Sequence, residues 1–530
     1  MFSVCLFVIP HYKFLSKEKK LCIIHTRLKN GYHTGLSSDI SRYLLTANSI
    51  LSTLQGDILM ILIKSGTLIT ASETFQADIL IEDQKITNIG VELHVPDAHV
   101  IDVSGNLVMP GGVDPHTHFD LSMFNTVSSD DHYTGHKAAA FGGTTTVMDF
   151  IPQDESLSLK ENVEVWHTKA AKAAIDWGFH MNITHFDTYI ADQIPGLLEL
   201  GITSLKVFTA YNNRLRLHDG EIFQVLRIAR DNSMLTMLHA ENGDVIDILV
   251  AEALAAGHTD PVWHARTRPA WGAIEASLRA FALGAQAEAP LYLVHMNVGG
   301  EADQLSYARQ RGLHVMGETC PQYLFFTEEY LSKPDGAKWI CSPPIRTRQD
   351  NQRLWQALTD NEIQVIATDH CPFFYNGNSP IIYEAEEIAI PGKELGSTDF
   401  TKIPNGLPGV GDRMPIMWTY GVLEGKLTPN QFVALNCTNP AKIFGLYPRK
   451  GALLPGSDAD IVIWDPNQKV KYGVQIAKHR TDYNLYEGWE LTGYPEKVFL
   501  RGQLIVDGDK WLGKRGMGKY IPRKPGINWI

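Results

Sequence analysis

The 530-residue chain has six cysteines and no CxxC pair. That excludes a disulfide framework and fits free thiols in a reducing, cytoplasmic compartment. No apolar run approaches the roughly 20 residues of a membrane span. Basic charge is not in excess: 47 Lys and Arg stand against 59 Asp and Glu, a net charge of −12. Neither nucleic acid nor an anionic membrane surface is therefore expected as a partner. No GxGxxG loop follows a strand, and the Gly-Gly of AFGGTTTV ends a helix and starts a strand, the wrong order for binding phosphate. What remains is ordinary for a globular protein: 44% hydrophobic and 20% charged residues, in a chain long enough for more than one domain.

The N-terminus stands apart. Residues 1–9 (MFSVCLFVI) are apolar, but a Lys-rich stretch follows them rather than precedes them, and no small-residue cleavage site is evident. A secretory signal is not expected. Residues 10–57 show no sustained periodicity, so residues 1–59 are expected to be an extension outside the fold. The competing reading is a transit peptide, from Arg27, Arg42 and the Ser-rich 37–41 stretch.

Ordered patterning begins at Met60. ADILIEDQKITNIG alternates apolar and polar residues around Asp83-Gln84, a hairpin pattern. GSDADIVIWDP and EKVFLRGQLIVDGDKW, far downstream, have the same character. Residues 60–109 and 446–515 are therefore expected to form one small β domain from both chain ends, with 516–530 as a tail. Between them, about 110–445, strand candidates (TTTVMDF, FHMNITHF, TSLKVFTA, MLTMLHA, PLYLVHM, HVMGET, IQVIATD) alternate with helical stretches such as IFQVLRIARDN, AIEASLRAFALGA and NQRLWQALTDN. Repeated β-then-α units imply a parallel sheet, and the length suits a (β/α)8 barrel with insertions. A doubly wound open sheet is the competitor.

Six chemically competent residues cluster at the ends of these runs: His116 and His118 in PGGVDPHTHFD, Lys206 in TSLKVFTAY, His239 in LHAENGD, His295 in LYLVHMN and Asp369 in VIATDHCPF. Two histidines two apart on a strand share a face and can reach one ion. A lone HxH is often only a polar strand end, and a lone strand-end histidine is often a hydrogen-bonded core residue. Together the set exceeds what one tetrahedral zinc needs, and it suits zinc, manganese or iron. Lys206 lies in an apolar strand, where an ammonium is costly. It is either paired with a carboxylate or uncharged and able to capture carbon dioxide as a carbamate, and the residues alone leave both open. His132, His136, His167, His185, His258 and His264 read as structural or surface groups. Cys320, Cys341 and Cys371 read as buried thiols.

These segments, with GGTTTVMDF, SLKVFTAY, GETCPQYL, CSPPIR, KELGSTDFTKIPNG, PRKGALLPGSDADIVIWDP and the Asp-Tyr-Asn of TDYN, resemble the dihydropyrimidinase and D-hydantoinase family of the amidohydrolase superfamily. The resemblance runs from Met60 nearly to the C-terminus. It implies a (β/α)8 barrel with a β-sandwich built from both chain ends. It implies a homotetramer and an enzyme that opens dihydropyrimidines or 5-substituted hydantoins to N-carbamoyl amino acids. It also implies two zinc ions bridged by carboxylated Lys206: His116, His118 and Asp369 on the buried ion, His239 and His295 on the exposed one. Asp369 would be the general base and acid. Tyr211 would stabilise the oxyanion, and Ser342 and Asn405 would grip the cyclic amide through backbone groups. The plainer readings are a core tyrosine for Tyr211 and turn chemistry for the other two.

The chain departs from the family between CPFF and KELG, where YNGNSPIIYEAEEIAIPG (375–392) replaces a shorter link. It falls just after Asp369 and would sit at the rim of the site, as a lid or as a sequence error. Leu121, Met123, Phe124 and the stretch after Tyr211 are the candidates for substrate selection, and their apolar character suggests bulky apolar substituents. Two rival functions stand beside the hydrolase: a metal-free scaffold of the collapsin-response-mediator type, and an allantoinase or dihydroorotase.

Overall fold

The computed structural model describes residues 60–526; the expectations for residues 1–59 lie outside the described residues. Eight parallel strands form the barrel: β1 (Gly112–Thr117), β2 (Thr144–Ile151), β3 (Asp176–Asn182), β4 (Ser204–Phe208), β5 (Leu235–His239), β6 (Leu291–Leu293), β7 (Val315–Thr319) and β8 (Val365–Ile366). Each pairs with the next in sequence order, and the last meets the first through a Thr117–His370 bridge in which the His118 N–H donates to the His370 carbonyl at 2.8 Å. Every residue of these strands is buried. This is why they appear as continuous apolar runs: helices cover the outside and the barrel fills the inside.

The interior holds Val113, Met148, Phe150, Leu235, Met237, Tyr292, Val294, Met316, Val365 and Ala367, and Phe444 and Ile521 belong to the same apolar cluster. Residues 519–523 cross the end where the strands begin: the Trp177 N–H donates to the Lys519 carbonyl at 3.0 Å, and Ile521 returns the bond to Trp177 at 2.7 Å. The covering helices bury one face each. In Asp219–Asp231 the buried residues are Ile222, Val225, Leu226 and Ala229, an i, i+3, i+4, i+7 stripe. Arg348–Thr359 starts at a capping box, Thr347 Oγ1 accepting from the Asp350 N–H at 3.2 Å, which stabilises the helix by about 1 kcal/mol.

Strands from both chain ends join in a separate nine-stranded sheet. Its order is 510–511, 503–507, 490–500, 461–471, 107–110, 61–69, 74–82 and 85–90, with 99–102 also beside 61–69. Alternation explains its two buried faces. Ile461, Ile463, Val108 and Phe499 face the sheet's own core with Ile61, Ile63, Ile79 and Ile81. Val462, Trp464, Met109 and Val498 face the barrel helices. Asp83 and Gln84 have φ values of 49° and 70°, the left-handed pair that a two-residue hairpin turn requires. No helix among the described residues is long and apolar enough to cross a membrane.

The 375–392 segment forms a hairpin of its own, Ile381–Tyr383 against Glu386–Ile388, turning at Glu384 and Ala385. Its two ends are drawn together where the Gly377 N–H donates to Glu394 at 2.8 Å and the Lys393 N–H to the Phe374 carbonyl at 2.7 Å. Its tip bonds Lys137 through Glu384 at 2.6 Å, and Pro391 accepts from Thr126 Oγ1. The excursion is thus tied to the Ser122–Val127 ribbon at the rim of the barrel.

Candidate active site

The site lies where the barrel strands end. His116 is on β1, with His118 one residue beyond it. Lys206 is inside β4 and His239 is the last residue of β5. His295 and Asp369 come later than the runs that contain them suggest. β6 stops at Leu293 and β8 at Ile366, and both residues then adopt positive φ, 37° and 53°. Non-glycine residues in this region store strain that the surroundings must hold, and here it accompanies side chains at the cavity wall.

Two groups of donors result. His116 Nε2 and His118 Nε2 lie 3.1 and 3.2 Å from Asp369 Oδ1. Among the described residues, these three are the one set of three or more such ligands that converge, with ligand atoms within 4.8 Å of one another. Beside them, His239 Nδ1 and His295 Nε2 face each other at 2.9 Å. The far nitrogen of each His116 and His239 ring is held by a carboxylate: Glu318 takes His116 Nδ1, and Glu241 Oε2 meets His239 Nε2 at 2.9 Å. Glu318 is fixed in turn by the Tyr292 hydroxyl at 2.8 Å and the His295 N–H at 3.2 Å, and Glu241 by Arg268 at 2.8 Å. Carboxylates bonded to the outer nitrogen of a ligating histidine fix its tautomer and ring orientation.

Protonation follows from burial and charge. Burial lowers His118, His239 and His295 below the ordinary imidazole value, His295 furthest because His239 and Lys206 add to it. At His116 burial also lowers the value, but Glu318 and Asp369 outweigh it and carry the imidazole upward. Burial alone would raise Asp369, yet His116 and His118 hold it well below the usual carboxylate range. Lys206 is 2% exposed and has no ion-pair partner among the described residues. Its amine lies over the Phe150 ring at 4.9 Å, and burial brings it down to about 8. Neutral imidazoles at His118, His239 and His295, an ionised Asp369 and an amine close to losing its proton are states suited to binding metal, whereas His116 would have to give up a proton to bind. The donor set therefore fits a metal centre, and the opposed His239 and His295 nitrogens are what a shared cation would separate.

Tyr211, Ser342 and Asn405 line the same cavity. Tyr211 has φ 66° and its ring is 5.1 Å from that of His239. Burial raises its hydroxyl, so it stays a donor. Asn405 Nδ2 donates to Ser342 Oγ at 2.9 Å, and His264, buried, sits 3.3 Å from that oxygen. All nine residues singled out from the sequence thus line one cavity. Glu318, Glu241 and Arg214 were not singled out. A carboxylate inside the apolar run HVMGET was the same signal that marked Lys206. His370 points away, toward Asp130 at 3.2 Å, and Cys320, Cys341 and Cys371 are buried free thiols. A larger cleft of about 510 Å³ lies between residues 70–75 and 430–454, but among the described residues Glu73 and Lys442 are the only charged groups lining it.

Residues 107–505 match the amidohydrolase family. The chain belongs to this family. The D-hydantoinase of Geobacillus stearothermophilus is 44% identical over 466 residues, covering 87% of this chain and 96% of that protein. The D-hydantoinase of Streptomyces coelicolor is 42% identical, over 87% and 97%. Among solved structures, a dihydropyrimidinase from Brevibacillus agri NCHU1002 superposes with a TM-score of 0.85 at 43% identity, covering 88% of this chain and all of that one. Amidohydrolases are metal-dependent, and the His116, His118 and Asp369 group is where this amidohydrolase can hold a metal.

Proposed function

We propose that this amidohydrolase opens 5,6-dihydropyrimidines and 5-substituted hydantoins to N-carbamoyl amino acids, using two zinc ions bridged by carboxylated Lys206. The observation that carries the reading is the pair of donor groups, His116, His118 and Asp369 on one side and His239 and His295 on the other, sharing a cavity with a buried lysine that has no ion-pair partner among the described residues. The neutral Lys206 amine would attack carbon dioxide and release a proton. The resulting carbamate offers two anionic oxygens in place of an ammonium that burial disfavours. Bound at the two groups, the ions would acidify a water and polarise the ring carbonyl.

The remaining work falls to the chain. Asp369, ionised beside His116 and His118, is the proton carrier: it accepts the proton of the attacking water and returns it to the ring nitrogen as the C–N bond breaks. Tyr211 keeps its proton and donates a hydrogen bond to the carbonyl oxygen as that oxygen gains charge. Ser342 and Asn405 hold the ring amide through their backbone groups, with His264 and Lys393 positioning the loops. Lys393 Nζ donates to the Ile340 and Pro404 carbonyls, both at 3.0 Å, and so ties together the segments that carry Ser342 and Asn405. The family resemblance supports a homotetramer, and the sparse cysteines without a CxxC pair support a reducing, cytoplasmic compartment.

Hydrolysis of dihydrouracil and 5-phenylhydantoin, followed as N-carbamoyl product, tests the reading. Ring opening that chelation abolishes and zinc with bicarbonate restores is expected. Absence of turnover with both supplied would favour the scaffold, and preferred turnover of allantoin or dihydroorotate would reassign the substrate.

A further inference from the structure

Arg214 and Arg216 share the loop that follows Tyr211, and they are treated differently. Arg216 is neutralised: its guanidinium pairs with Asp244 and donates to Asn212 at 2.8 Å. Arg214 lines the mouth of the candidate cavity, is exposed, and has no ion-pair partner among the described residues. Its neighbour is the Phe124 ring, with Cζ 5.8 Å from the ring centroid. The Arg214 N–H donates to the Tyr211 carbonyl at 3.1 Å, so the turn that presents the Tyr211 hydroxyl also sets the guanidinium. Among the described residues, Asp369 is the one carboxylate in the cavity wall, and it is engaged with His116 and His118. The guanidinium stands beside Phe124, which packs with Leu121 and Met123, the residues that the hydantoin-opening reading assigns to the ring's substituent.

We infer that Arg214 selects cyclic amides whose ring substituent ends in a carboxylate, such as 5-carboxymethyl- or 5-carboxyethylhydantoin. This rests on the hydantoin-opening reading and narrows it. A guanidinium offers a carboxylate paired N–H donors in a fixed geometry. The apolar residues beside it would cover the methylene stem.

The test compares kcat/KM for 5-carboxymethylhydantoin and its neutral amide isostere, 5-carbamoylmethylhydantoin, in the zinc-loaded wild type, R214Q and R214K, with dihydrouracil as reference. The expected wild-type preference for the carboxylate is roughly 2- to 10-fold. It appears mainly in KM, shrinks with added salt, collapses toward unity in R214Q and is partly kept in R214K. A wild type that favours the amide, or an R214Q that lowers both substrates equally, overturns the inference while dihydrouracil turnover leaves the hydantoinase reading standing. Loss of all three substrates in the loaded wild type overturns both.

Discussion

The barrel buries charge at both of its ends, and the two ends handle it in opposite ways. Where the strands begin, Lys450 is fully buried among three carboxylates, with Nζ 2.5 Å from Asp176, 2.9 Å from Asp458 and 2.8 Å from Asp460. Arg501 completes the cluster on Asp176, and Thr145 donates to Asp460 at 3.1 Å. Where the strands end, Lys206 is just as buried and has no such partner among the described residues, nor has His295 Nδ1 a hydrogen bond among them, and two imidazole nitrogens face each other. Each end buries a lysine; the satisfaction of that lysine differs. Paired charge fastens the chain-end sheet and residues 519–523 to the barrel. Charge left without partners is competent for ligands, in keeping with the division of labour between the two faces of such barrels.

Substitutions at the two ends should therefore separate activity from stability. Asp369→Asn is expected to lower kcat by roughly 10³-fold or more while the thermal midpoint of the metal-free protein stays near that of the wild type. A large drop in that midpoint would place Asp369 with the structural charges instead. Lys450→Met should do the reverse. It removes the cation shared by Asp176, Asp458 and Asp460 and leaves buried Asp460 with no cation among the described residues, a loss of about 3–5 kcal/mol measured by urea unfolding, while the protein that remains folded turns over substrate at near the wild-type rate. Glu318→Gln lies between the two ends. It keeps the shape but weakens the hold on His116, and should lower metal affinity by roughly 10- to 100-fold, read by competition with a chelating dye.

The smallest effect concerns pH. Burial would raise Glu241, but Arg268 and His239 outweigh it and bring it down to about 2 from an ordinary 4.5. A carboxylate lowered on folding contributes stability that is fully present above its unfolded value and is lost as pH falls through the folded one. Unfolding free energy should thus decline between about pH 4.5 and 2, and Glu241→Gln should flatten part of that decline. An unchanged slope would show that Glu241 gains nothing from its neighbours.

The sequence made the architecture legible because strands buried on both sides leave long apolar runs, and helices between them leave a 3.6-residue stripe. Six site residues were visible because polar groups at the ends of such runs are conspicuous. Strand length was harder to read. PLYLVHM and IQVIATD look continuous, yet the backbone leaves the sheet before His295 and Asp369 and turns through positive φ, which no side-chain pattern encodes. Glu318 and Glu241 were missed because their roles are to hold other side chains, a relation visible only in three dimensions. The hairpin in the insertion was equally obscure. It turns at Glu384-Ala385, without the Gly or Asn that ordinarily announces a tight turn. The loop after Tyr211 was expected to be an apolar selector, and the distinction between a neutralised Arg216 and an unneutralised Arg214 required knowing where Asp244 lies.

The most direct test of the account is metal content measured on the purified protein by mass spectrometry of the elements, in the wild type and in His239→Ala/His295→Ala and Lys206→Ala variants. The account predicts two zinc ions per chain in the wild type, one when the His239–His295 pair is removed and weaker retention of both without Lys206, since one closed zinc site needs no more than about four protein ligands. A wild type that binds a single ion, or one whose metal content is indifferent to His239, His295 and Lys206, would contradict it.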